Sequence, residues 1–261
     1  MSTGVGRETA EGDAGGDAGV GSEQGRPGGG GWTASVRGAL APGLLLPLGD
    51  LADGAWIAER AAAEVLSEAM GRAAPEAAPG RVRVRSAAGS PAAEPEAPKP
   101  EAPEPPGALP RGPLRVEADF AAVAGTVLPE VAERLRTALF AAADELLGLR
   151  VDAVDLRATA LLDALPEHPS AEAEGAPGSE TGAAGAEVGS PEAVAAAVPG
   201  VARLTGTFGR PVHRTADQLR VELATAAGRR ALDVARAVRG ALRAATAEDG
   251  PPVVVVVTGT H

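Results

Sequence analysis

The only imidazoles in the chain are His168, His213 and His261. The chemistry they could supply is general acid–base catalysis, which needs a positioned partner in a shielded site. His168 lies in an acidic Gly/Ala-rich stretch, His213 follows Pro211 in what reads as a strand-to-strand loop, and His261 is the last residue of the sequence. None is expected to be catalytic, and no pair has metal-ligand spacing. There is no cysteine, so disulfides, thiol nucleophiles and thiolate metal sites are excluded. The sequence has neither a Gly-x-Ser-x-Gly elbow nor a Gly-x-x-x-x-Gly-Lys phosphate loop. Gly206-Thr-Phe-Gly209 reads as a turn after a strand. Asp144-Glu145 and Asp152 with Asp155 could be imagined as carboxylate dyads, but they fit a solvated helix end and the outer face of a strand. The expectation is a non-enzymatic chain with no catalytic residue, no bound metal and no cofactor.

Charge is more informative. The 261 residues carry a net charge of −11, yet residues 191–261 hold nine Arg against six acids. On the helix expected over Arg229–Ala245, Val234, Ala235, Val238, Ala241, Leu242 and Ala245 share one face. Arg229, Arg236, Arg239 and Arg243 are read on the opposite side. That stripe is either an ordinary solvated face or a docking surface for an acidic partner, such as another copy of the chain or anionic lipid headgroups. Phe140, on the outer side of an earlier helix, is a candidate apolar anchor. Nucleic acid is not expected, because the chain is acidic and only 2% aromatic.

These residues must be positioned by a limited amount of packable chain. Residues 1–31 hold twelve Gly, Ser86–Pro113 holds nine Pro, and Pro166–Ser190 is rich in Gly, Ala and Glu. These segments lack the branched apolar side chains that offset ordering entropy and read as a disordered tail and solvated linkers. The remainder suits two small α+β units. A short helix is expected near Trp32–Leu40, and a longer one over Ala55–Met70 with Asp53 as its N-cap and Ile57, Ala61 and Val65 on its apolar face. Pro79–Arg85, Leu114–Phe120 and Val154–Ala160 alternate as strands, and Leu128–Leu147 is the strongest helix. Beyond the acidic linker come a short helix Pro191–Val198, a strand near Val201–Phe208, an alternating strand through Leu219, Val221 and Leu223, and the arginine-bearing helix. Last is Val253–Val257, a β-branched run expected to lie between neighbouring strands.

The halves share sequence as well as order. Leu114-Arg-Val-Glu117 recurs as Leu219-Arg-Val-Glu222, and residues 129–142 match residues 232–245 at seven of fourteen positions. In that alignment Arg236, Arg239 and Arg243 face Glu133, Arg136 and Phe140, so the basic stripe is mixed and partly apolar in the first copy. The fold class expected is α+β, two related units of helix, strand, strand, helix, strand. The first occupies residues 32–165, with a Pro-rich insert at 86–113. The second occupies 191–261, after a linker at 166–190.

This order, with Val198-Pro-Gly-Val201 and the Gly148–Leu156 passage, resembles the alkaline shock protein (Gls-type general stress) family. Leu46-Pro-Leu-Gly49 and Asp53-Gly-Ala-Trp56 are also similar to actinobacterial proteins labelled "nucleopolyhedrovirus p-ten family", a label that implies no viral role. The first copy departs from the pattern, with Pro79-Gly80-Arg81 where a Pro-Gly-Val is expected. The resemblance implies a non-enzymatic stress-response or scaffold protein that acts through protein partners or self-association, with membrane association only through a partner. A secretory signal and a spanning segment are both absent from the reading, so the expected location is cytoplasmic. The alternative is a small-molecule or anion-binding module using the groove between the two units.

Overall fold

The computed structural model describes residues 44–87, 103–165, 189–246 and 250–261. The expected tail, the helix near Trp32, His168 and nearly all of the 166–190 linker lie outside them.

The architecture is α+β with two sheets. The smaller runs in the order β3 (Ala77–Ser86), β4 (Leu114–Val123), β5 (Val151–Leu162). β3 and β4 are antiparallel, and β4 and β5 are parallel. Helix α2 (Leu128–Ala141) makes the crossover and ends in a π turn, Ala142–Leu147. β4 shows why the sequence was readable: Leu114, Val116, Ala118, Phe120 and Ala122 are buried, while the residues between them are half-exposed. Pro129 enters α2 in its first turn, where its missing N–H is not needed.

The larger sheet repeats that order. β6 (Val201–Leu204) is antiparallel to β8 (Leu219–Thr225), and β8 is parallel to β9 (Val253–Thr260) through helix α4 (Ala231–Ala245). A three-residue strand, β7 (Val212–Arg214), also pairs with β8, so His213 is in a strand and not a loop. The short helix α3 (Pro191–Ala196) precedes β6, with Ser190 Oγ accepting the Ala193 N–H at its N-cap.

The helix expected from Ala55 begins only at Glu59, as α1 (Glu59–Ala73). Ala55–Ala58 is a strand, β2, hairpinned to β1 (Leu45–Leu48). β2 then adds in parallel to β9, with Trp56 beside Val256 and Ile57 beside Val257. The hairpin belongs by sequence to the first unit and by pairing to the second sheet, so the linker at 166–190 does not divide the sheets. Buried side chains from both halves form a single continuous core. The valine run of β9 is buried between β2 and β8, as its composition required.

The Pro-rich insert was expected to be solvated throughout, but its described end docks. Ala108 bridges to Leu45, and the Arg111 guanidinium stacks 4.5 Å from the centre of the buried Trp56 ring.

Candidate functional site

Of the expected basic stripe, one arginine is internal and a second is tied to a carboxylate. Arg239 is 7% exposed, and its Nη1 donates to the carbonyl of Ala52. Arg236 donates from Nε and Nη2 to the two carboxylate oxygens of Asp53, at 2.7 and 2.9 Å. The physical reason is Leu232. Leu232 and Arg239 are seven residues apart, two helical turns, and therefore share a face. Leu232 is buried, which turns Arg239 toward the protein. Both arginines meet the single 3-10 turn Leu51–Asp53 between β1 and β2. Arg243 is exposed at the far end of α4, Arg229 is exposed before its start, and Phe140 is 36% exposed on α2. The five candidates are therefore not one surface.

What the arginines build is a junction between the halves. Asp53, expected to cap a helix, accepts Arg236 and the N–H of Asp50. Burial pushes its carboxyl up, but the Arg236 hydrogen bond, the Asp50 N–H and the two guanidinium charges outweigh that and hold it below the usual aspartate value. Nearby, Arg230 donates to the carbonyl and the carboxylate of Asp144 at 2.8 and 2.9 Å. Thus the carboxylate of Asp144 joins the π turn to the start of α4. Gly148, at φ 85°, closes the π turn, and a Cβ there would stand 2.5 Å from Leu232 Cβ. The absence of a side chain lets α4 seat.

A second feature lies on the other side of Leu146. Here Arg72 and Glu68 of α1, Arg229 and Gly228 of the β8–α4 loop, and His261 after β9 line a groove of about 200 Å³. The loop leaves the C-terminal end of β8, beside the parallel end of β9, and leads into the positive end of a 15-residue helix. Crevices outside the carboxyl ends of parallel strands are where α/β sheets take ligands. Arg203 Nη2 donates to His261 Nε2 at 3.0 Å. Arg72 lies 3.8 Å from Glu68 with both side chains more than 60% exposed, a contact too loose to use up the guanidinium.

Of the sequence candidates, only Arg229 reaches this groove. Arg72 and His261 were missed because their convergence depends on how α1 packs beside β9. One local signal was present: Ala226-Ala-Gly-Arg-Arg230, a Gly-containing loop between an alternating strand and a helix.

Glu222, half of the repeated Leu-Arg-Val-Glu, is fully buried. It accepts the Phe208 N–H at 2.9 Å and lies 3.2 Å from Arg220. Burial raises its carboxyl above the usual glutamate value against these favourable contacts. Gly206–Gly209 is indeed a turn, and it wraps this carboxylate. Asp155 pairs with Arg115 at 2.5 Å and not with Asp152. Among the described residues no group of three His, Asp or Glu side chains could hold a metal ion, and no helix is long and apolar enough to cross a membrane.

No protein-family model matches the chain, and neither the curated proteins nor the solved structures contain a match.

Proposed function

We propose that this chain is a non-catalytic binding module that takes a small anion, of the phosphate or carboxylate class, in the groove between its two halves. The observation that carries this reading is the convergence of Arg72, Arg229 and His261, from three separate elements, on one concavity that also holds the Glu68 carboxylate. The groove is smaller than a drug-sized pocket of about 300 Å³ or more, which suits a phosphate or a short carboxylate. Its lining offers hydrogen-bond donors around an apolar wall of Val65 and Leu146. Engagement of His261 by Arg203 favours recognition over proton transfer.

A thermal-shift series with inorganic phosphate, nucleotides and short carboxylates tests it. One class should raise the melting temperature logarithmically with concentration, by the equivalent of about 2.7 kcal/mol at a hundredfold excess over Kd. Arg72→Gln with Arg229→Gln should remove that rise without lowering the unliganded melting temperature by more than the about 0.5 kcal/mol typical of surface changes. A rise that survives the double substitution, or no rise with any class, rejects the groove.

A second reading is an interaction protein of the alkaline-shock type, linked to stress and acting through partners. What favours it is that the same strand order and strand senses recur in both sheets: antiparallel, then parallel through a helix. Descent of the halves from one duplicated unit would explain that recurrence together with the shared Leu-Arg-Val-Glu.

A further inference from the structure

The longest strand, β5, spans twelve residues, and among the described residues nothing pairs with its outer edge. Its C-terminal half, from Arg157 to Leu161, is exposed, with Leu161 at 61%. A long edge without protection is a template for another strand, and proteins normally blunt it with proline, bulges, lysine or a covering segment. The other edges are managed. β3 carries Pro79 and a bulge between Pro79 and Val82, and its Val84 N–H is taken by Glu59 Oε1. β6 and β7 are four and three residues long. β1 is covered by the Gly107–Leu109 segment, which exchanges backbone hydrogen bonds with Leu45. β5 has no proline, glycine or lysine, and its two bulges, opposite Leu114/Arg115 and Phe120/Ala121, leave Ala153 to Ala158 as an unbroken stretch.

The charges along β5 point to what pairs with it. Asp155 and Arg157 lie on the same, outer face of the sheet, beside Glu117 and Asp119 of β4. Val154, Leu156 and Ala158 lie on the helix side. If two β5 strands run antiparallel with Leu156 on the two-fold axis, Asp155 of each copy stands opposite Arg157 of the other. Val154 then stands opposite Ala158, and both faces of the pleat stay in register. Arg157 has no ion pair within its own chain among the described residues, so it is available for this contact. Because only one edge of the small sheet is open among the described residues, the association closes as a dimer and does not propagate.

We infer that β5 is a self-association edge, through which two copies of this chain join their small sheets into one six-stranded antiparallel-centred sheet, in the register that places Asp155 against Arg157.

The test is the oligomeric state of the full chain by light scattering coupled to size exclusion, with circular dichroism to confirm folding. The unsubstituted chain should be a dimer. Arg157→Asp places two aspartates opposite each other, and Asp155→Arg places two arginines opposite each other. Each variant alone should dissociate at least about tenfold more readily. Mixed in equal amounts, the two variants should recover the dimer, since each supplies the charge the other lacks. A second probe leaves the charges intact. Leu156→Cys puts a unique thiol on the axis, where directly opposed Cα atoms are about 5 Å apart and can be bridged. It should crosslink on oxidation, while Leu161→Cys should not. This pair decides the question if Asp155→Arg, which also loses Arg115, fails to fold. A monomer at every concentration overturns the inference and leaves the edge to a strand of a different chain. Failure of the mixture to recover the dimer, or equal crosslinking of the two cysteines, overturns the register and with it the proposal.

Discussion

Two carboxylates in this chain answer to pH in opposite directions. Asp53 is held below its ordinary value by Arg236, so its contribution to stability is complete above the unfolded aspartate value of about 3.9 and is lost as pH falls through the lower folded value. Asp53→Ala should cost about 0.5–1.5 kcal/mol at neutral pH, because it removes the acceptor of the half-exposed Arg236 guanidinium and of the Asp50 N–H. That difference, read from urea melts, should shrink only in strong acid. Glu222 is raised by burial, so its ionised form weakens the fold as pH climbs from about 4.3 through the folded value. Glu222→Gln keeps an acceptor for the Phe208 N–H and removes the charge. Its melting temperature relative to the unsubstituted chain should therefore increase with pH between 4 and 8. A flat difference would show that Arg220 already neutralises the site.

At the scale of elements, the π turn and Leu232 fix how α4 sits. Gly148→Ala combines a left-handed backbone, at φ 85°, with a Cβ driven into Leu232. It should destabilise by more than about 1 kcal/mol, whereas Gly125→Ala, at φ 91° with open space around it, should cost only the backbone term. Denaturant midpoints of the two variants distinguish close packing from backbone strain. This junction also marks the limit of what periodicity can tell. β4, β8 and α2 were legible because period 2 and period 3.6 separate cleanly over seven or more residues. β2 was not: Ile57, Ala61 and Val65 are four apart, so a four-residue buried strand running straight into α1 reads as the first turn of one helix. The arginine face was misassigned by a single omission, since leaving Leu232 out of the apolar stripe turned Arg239 outward. Asp53 and Arg236 are 183 residues apart, and nothing local announces such a pair.

At the scale of the whole molecule, the two halves share a core and a sheet, so they are not expected to behave as separable domains. If a protease site is introduced between residues 166 and 188 and cut, the two pieces should co-elute on size exclusion and part only in denaturant. Residues 189–261 produced alone should lack a cooperative melt, because β9 would present its valines without β2 alongside. Pieces that separate in plain buffer would restore the two-unit description. The parallel pairing of β2 with β9 has a temporal side as well. Ala55 finds its partner at Val255, so the early hairpin must be held unpaired until two hundred further residues have been synthesised. At a ribosomal rate of about 5–20 residues per second, that wait is roughly 10–40 s. Throughout it the β9-facing edge of an apolar strand stays open to misassembly.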